Sequence, residues 1–411
     1  LAPASDAKVW KSLRARRGLI GQWRAQARAV RDLSRPLVWL HAPSVGEGLQ
    51  ARPVAHALRA AHPEWQLAYS FFSPSAEAFA RSVGADITGY LPFDTADAAE
   101  QLLDMLRPAA LVFVKLDLWP VLAERTQARG IPVAMLSATL AEGSGRRGRW
   151  AQLLTRDAYA SLAAVGAIDA AHGERLCGLG VPRSVLQVTG DTRFDQVAER
   201  AMRVNHIAPP LSLLTSTRPT LVAGSTWPAD EAVLLPAWRD VHARVREARL
   251  IIAPHEPTAG HCAPIVTWAR DAGLTLRTLS DIERAGHDDT TDVVLVDRVG
   301  VLGDLYALAQ VAYVGGGFHA AGLHSAIEPA AFGAPVVFGP RHDMSREAGL
   351  LLAAGGARSV SDENALAAQL TSWLTDAGSR QTAGAAARAV VEQERGATER
   401  SRRLVESLVT R

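Results

Sequence analysis

Short apolar, β-branched runs alternate along the chain with longer Ala- and Leu-rich stretches of helical period. In the first half the runs fall at 37–41, 67–71, 111–115, 131–136, 162–168 and 185–189. In the second half they fall at 220–223, 250–253, 293–296, 311–314 and 335–338. Strand alternating with helix predicts parallel sheets covered by helices on both faces. The alternation pauses once, across 195–219, where Pro209, Pro210 and a polar Thr-Ser-Thr-Arg-Pro stand. The pattern therefore predicts an α/β chain of two Rossmann-like, doubly wound domains facing a central cleft. Expected bounds are an N-terminal domain at 37–200, a linker at 201–218, a C-terminal domain at 219–380 and closing helices at 381–411. Ligands of such sheets bind beyond the carboxyl ends of the strands, so chemistry is expected in the post-strand loops.

A length of 411 residues suits two domains, and 48% hydrophobic with 21% charged residues excludes a disordered, collagenous or coiled-coil chain. Cys177 and Cys262 have no metal spacing and exclude a disulfide framework, which fits a reducing compartment. The chain contains no run of 18 apolar residues and no signal-peptide pattern. The net charge of +2 conceals a basic leader: residues 1–31 hold eight Lys or Arg against Asp6 alone. Such a segment, taken as 1–36, suits an anionic surface, phospholipid or nucleic acid, or is a solvated helix. Of 44 basic residues only three are Lys, and Lys115 is the only one beyond residue 11. A compact ammonium retained there points to a role that a guanidinium does not fill.

Three post-strand loops carry candidate chemistry. The first, His41-Ala-Pro-Ser-Val-Gly-Glu47-Gly, places Glu47 at the opening of the next helix, where the dipole favours its ionised form. That carboxylate is either a general base toward a sugar hydroxyl or a simple capping acid. The second, Lys115-Leu-Asp117-Leu-Trp119-Pro120, follows a strand whose alternation puts Phe113, Lys115 and Asp117 on one face. Lys115 and Asp117 then form a structural ion pair, or set the charge of Glu47 while meeting an anionic ligand. The third runs from Val314 through Gly315, Gly316 and Gly317 to His324-Ser-Ala-Ile-Glu328-Pro329. Its glycines permit close approach to a phosphate, Pro329 marks a first helical turn, and Glu328 is placed to accept from ribose hydroxyls. His255 follows another strand and lines the expected cleft, as does Arg193 in Gly190-Asp-Thr-Arg-Phe-Asp195. His255 and His261 are six residues apart with Pro257 between, which does not suit a helical zinc site.

Eight segments in order resemble the 3-deoxy-manno-octulosonic acid (Kdo) transferases, glycosyltransferases of the two-Rossmann GT-B fold. They are Ser44-Val-Gly-Glu47, Tyr90-Leu-Pro-Phe-Asp94, Leu118-Trp-Pro120, Val188-Thr-Gly-Asp-Thr-Arg-Phe-Asp195, Gly224-Ser-Thr226 with Asp230-Glu231, Gly303-Asp-Leu-Tyr306, Val314-Gly-Gly316 and His324-Ser-Ala-Ile-Glu-Pro329. The resemblance implies inverting transfer of Kdo from CMP-Kdo to a lipid A precursor, without metal or other cofactor, in lipopolysaccharide inner-core synthesis. It implies Glu47 as base; the post-strand position of Lys115 and Asp117, not the resemblance, adds these two as catalytic candidates beside it. Donor contacts fall on Ser225, Thr226, His255, Gly315, Gly316, Gly317, His324, Ser325 and Glu328, and acceptor contacts on Ser44, Gly46, Ser73 and Arg193. The first domain then takes the acceptor and the second the donor. The family carries a hydrophobic anchor ahead of a basic segment, so the leader is expected at the cytoplasmic face of the inner membrane rather than on nucleic acid. A chain beginning with that segment fits trimming just after the anchor.

The chain departs from the family pattern at Lys115, at Ser137-Ala138-Thr139, at Arg193, at Pro254-His255-Glu256 and at Ser325. These positions bear on the acceptor and on the number of sugars added. Two alternatives are weighed beside the transferase: a GT-B transferase or nucleotide-sugar epimerase with another donor, and a catalytically silent lipid- or nucleotide-binding scaffold.

Overall fold

Fourteen strands, each parallel to its neighbours, form two seven-stranded sheets in the structure, a computed structural model that describes residues 18–410. The first sheet holds β1 (Leu37–His41), β2 (Gln66–Phe71), β3 (Ile87–Tyr90), β4 (Ala110–Val114), β5 (Val133–Ala138), β6 (Ala164–Ala167) and β7 (Leu186–Val188), in the order β3-β2-β1-β4-β5-β6-β7. The second holds β8 (Thr220–Thr226), β9 (Arg249–Pro254), β10 (Leu276–Thr278), β11 (Val293–Leu295), β12 (Val311–Val314), β13 (Val336–Phe338) and β14 (Ala357–Ser359), in the order β10-β11-β9-β8-β12-β13-β14. Apart from His41 and Arg249 at strand ends, the central strands are apolar on both faces, and they are fully buried, as a sheet covered by helices on each side requires. Each sheet is thus the doubly wound, Rossmann-like kind expected. The strand order reverses between β1 and β4 in the first and between β8 and β12 in the second, where His41 pairs with Phe113 and Val314 with Gly224. A crevice opens beyond the carboxyl ends at such a point.

The chain divides into two compact units. One runs to Gln196 and takes back Glu394 onward; the other is Val197–Gln393. The last helix, Ala397–Val409, buries Leu404, Val405 and Leu408 in the core cluster that holds Val54, Leu58 and Val112. Asp195 fixes its start by accepting from the Gly396 and Thr398 N–H groups, both at 2.6 Å. Helix Leu19–Val30 also belongs to the first unit. Leu19, Trp23 and Ala27, one helical face, are buried, and the Trp23 indole donates to the Tyr90 carbonyl at 2.9 Å.

Of the basic leader expected at 1–36, the part holding Lys8, Lys11, Arg14, Arg16 and Arg17 lies outside the described residues. The described part is integral to the first domain. Arg31 donates to the carbonyls of Leu106 and Arg35 at 2.7 and 2.8 Å, which engages its charge within the fold. The linker expected at 201–218 begins inside helix Thr192–Arg203 and contains helix Leu211–Leu214, whose Leu211 and Leu214 are buried in the second domain's core. Among the described residues no helix is long and apolar enough to cross a membrane.

Candidate functional site

In the first domain the candidate site gathers where the strand order reverses. Ser44 ends the β1 loop as the N-cap of helix Val45–Ala61 and accepts from the Gly46 N–H at 3.3 Å. Its hydroxyl donates to Glu47, the third helical residue, and Lys115 Nζ donates to the other carboxylate oxygen at 3.1 Å. Burial pushes the Glu47 carboxyl up. The Ser44 hydrogen bond and the Lys115 charge outweigh it and hold the group below the ordinary glutamate value. The result is a half-buried carboxylate kept ionised at a helix N-terminus.

Lys115 and Asp117 do not share a strand face. β4 ends at Val114, and Lys115 takes φ +67°, a left-handed conformation costly for a non-glycine residue. Lys115 therefore turns to Glu47, while Asp117 accepts from His41 Nε2 at 3.3 Å and the Trp119 indole at 2.9 Å. His41 is fully buried, and its Nδ1 meets the Ser70 hydroxyl at 2.9 Å, which accepts in turn from the Trp39 indole at 2.9 Å. Since the indole can only donate, the hydroxyl proton is available to His41 Nδ1, and Nε2–H to Asp117. Burial raises the Asp117 carboxyl, but these hydrogen bonds and the Arg146 charge bring it below its usual value. No periodicity singles out His41; its place as last residue of an apolar run, facing the Trp-Pro loop, was the available signal.

Other motif residues serve the fold. Asp94 accepts from the Val121 and Leu122 N–H groups, each at 2.9 Å, and so caps helix Pro120–Ala128 from a distance. Arg193, expected to face a ligand, instead folds onto buried Asp191, with Nε and Nη2 at 2.9 and 2.7 Å from Oδ2. Ser73, after β2, contacts the Ser75 hydroxyl at 2.8 Å and donates its N–H to Pro43 in the Ser44 loop at 2.7 Å.

The second domain places its candidates at the ends of β8, β9 and β12. Buried Asp230 organises them: one carboxylate oxygen accepts from the Trp227 and Gly316 N–H groups at 2.9 and 2.7 Å, the other from Phe318 N–H and the Tyr313 hydroxyl at 3.1 and 3.3 Å. The glycine run is explained by this packing. A Cβ on Gly315 would lie 2.2 Å from the Ser225 carbonyl oxygen, and Gly316 has φ +92°. With Gly315 N–H on the Gly224 carbonyl and Gly316 N–H on Asp230, these two amides do not cradle a phosphate as expected. Gly317 is likewise buried, against Gly339. The Thr226 hydroxyl is buried and donates to Glu231 at 2.7 Å, while Ser225, at φ 55°, stays half-buried at the strand exit.

His255, His319 and His324 stack with Trp227, an arrangement in which neither Trp227 nor His319 was foreseen. His255 and His261 go to different partners, the latter to Glu231 at 3.1 Å. Ser325 is half-buried just before helix Ile327–Ala331, which starts where Pro329 requires. Glu328 has no hydrogen-bond partner among the described residues, and burial raises its carboxyl above the ordinary value, against the lowering charge of Arg200.

Residues 11–196 match the family model described as 3-deoxy-D-manno-octulosonic-acid transferase (kdotransferase). A 3-deoxy-D-manno-octulosonic acid transferase of Bordetella pertussis is 31% identical over 96% of this chain and 94% of its own length. One of the same description from Haemophilus influenzae is 24% identical over 88% and 85%. Among solved structures, the UDP-GlcNAc 2-epimerase of Neisseria meningitidis bound to UDP-GlcNAc superposes with a TM-score of 0.63. It covers 91% of this chain and all of its own at 14% identity, a likeness of fold alone.

Proposed function

The chain belongs to the 3-deoxy-D-manno-octulosonic acid transferase family, and from that premise we propose that it moves Kdo from CMP-Kdo to a hydroxyl of a lipid A precursor. The observation that carries this reading is the Glu47 carboxylate, held ionised at a helix start by Ser44 and Lys115. Glu47 takes the proton of the acceptor hydroxyl as its oxygen attacks the anomeric carbon of Kdo. The new C–O bond forms, the bond to the CMP phosphate breaks, and CMP leaves with the electron pair. Attack opposite the leaving group gives inversion. Lys115, half-exposed at 44%, keeps the base charged and stands ready for the negative groups of either substrate. The His41–Asp117–Trp119 set braces the loop that presents Lys115.

The donor is held by the second domain. Glu328, lacking any hydrogen-bond partner of its own among the described residues, accepts from the ribose hydroxyls, and His324 donates to an anionic oxygen of the donor. Ser225 and Ser325 flank them, and the glycine loop shapes the wall through Asp230 rather than through free amides. The leader places the protein at the anionic cytoplasmic face of the inner membrane, where a phosphorylated lipid acceptor resides. An epimerase reading has only the shared fold behind it. Mass transfer from CMP-Kdo to a lipid A precursor by membranes containing the protein tests the proposal. A product heavier by one or more Kdo units supports it; turnover of a UDP-sugar in its place would replace it.

A further inference from the structure

Four rings from the loops after β8, β9 and β12 form one stack in the second domain. His319 lies 4.3 Å from Trp227 and within 7° of parallel; His255 lies 4.5 Å from Trp227 and 4.5 Å from His324. Trp227 and His324 are 6.4 Å apart and 11° from parallel, so the two rings sit almost edge to edge. Across that edge the Trp227 indole Nε1–H donates to His324 Nε2 at 3.0 Å. An indole nitrogen can only donate, so the imidazole nitrogen it meets must carry a lone pair. A neutral imidazole with its lone pair on Nε2 has its proton on Nδ1.

We infer that Trp227 is a positioning residue for the donor: it holds His324 neutral and protonated at Nδ1, leaving one N–H to donate to an anionic oxygen of the nucleotide sugar. His324 Nδ1 has no partner among the described residues, so that N–H is available. The groups facing His324 are His255 and His319 in the stack and the Asp230 carboxylate. Burial and His255 push its imidazole below the ordinary histidine value, Asp230 opposes them, and His319 adds to the lowering. A second proton would have to enter at Nε2 and would set two donors face to face, so the Trp227 contact itself disfavours protonation. The stack keeps the ring in place whether or not the N–H is present, so Phe at 227 separates the two effects. The inference rests on reading His324 as a donor ligand.

The test is long-range 1H–15N correlation on the 15N-labelled full chain at pH 8, with CMP-Kdo kinetics. Wild type is expected to show His324 protonated at Nδ1 and bare at Nε2. In Trp227→Phe the tautomer shifts toward Nε2–H, and the KM for CMP-Kdo rises roughly three- to tenfold with a smaller change in kcat. A wild-type spectrum with the proton on Nε2 overturns the inference without needing any variant. So does a Trp227→Phe protein with unchanged tautomer and unchanged KM for CMP-Kdo. His324→Ala is read separately: an unchanged KM for CMP-Kdo there overturns the donor reading itself, whatever the spectrum shows.

Discussion

Lys115 Nζ lies 3.1 Å from Glu47 Oε1, joining the loops after β4 and β1 by a charge-assisted hydrogen bond. Because the pairing holds the native Glu47 carboxyl below its unfolded value, its stabilisation is present above the ordinary glutamate range and is lost as pH falls through the lower native value. Lys115→Met removes the charge that opposes protonation, so the acid limb of kcat should move to higher pH. Lys115→Arg keeps the charge but replaces a compact ammonium with a planar fork at a strained position, φ +67°, and should still lose activity. Steady-state rates from pH 5 to 8 check both; an Arg variant equal to wild type in rate and melting temperature removes any special role for the ammonium.

Asp117→Asn should destabilise the first domain by roughly 1–3 kcal/mol. The substitution leaves the fully buried His41 without the carboxylate that accepts from its Nε2. Burial is outweighed by the His41 and Trp119 hydrogen bonds, which hold Asp117 charged at neutral pH, so the difference between variant and wild type should shrink only as pH falls through the lowered native value and the wild-type carboxyl protonates. Urea melts at pH 7 and at about pH 2 to 3, below the ordinary aspartate range, measure this directly.

Much of this was legible in the residues, and the exceptions have physical causes. The strands not foreseen, Ile87–Tyr90, Leu276–Thr278 and Ala357–Ser359, are all edge strands, half-buried in part and with polar residues, so no apolar run marks them. Lys115 stood out by the scarcity of lysine, yet its contact with Glu47 depends on a left-handed residue that no two-residue period reveals. Trp227 and His319 come from separate loops and meet only in the folded domain. Arg193 reads as an exposed cation until buried Asp191, two residues earlier, is seen to claim it.

Glu328→Gln should separate stability from function. Burial raises the native carboxyl above its unfolded value, so its charge costs stability as pH rises from the ordinary glutamate range through the raised one. At neutral pH the amide should raise the melting temperature by roughly 2–4 °C while weakening CMP-Kdo binding. Calorimetry with and without donor reads both, and a variant that is neither more stable nor weaker in binding removes Glu328 from the site.

The leader should dock on anionic bilayers. Each cation near the surface contributes up to about 1 kcal/mol, so Arg14, Arg16 and Arg17 changed together to Gln should reduce liposome flotation, as should added salt. Arg31→Gln should instead destabilise the fold, since its guanidinium serves the Leu106 and Arg35 carbonyls. Equal recovery on neutral and anionic vesicles contradicts a surface role.

Single-turnover transfer from CMP-Kdo to a lipid A precursor, with Glu47→Gln beside wild type and donor affinity measured on the same preparations, tests the central claim. Losing a general base should lower the rate about a hundred- to ten-thousand-fold and leave CMP-Kdo binding within about twofold. A Glu47→Gln protein that keeps more than about half of the wild-type rate contradicts the assignment of the base.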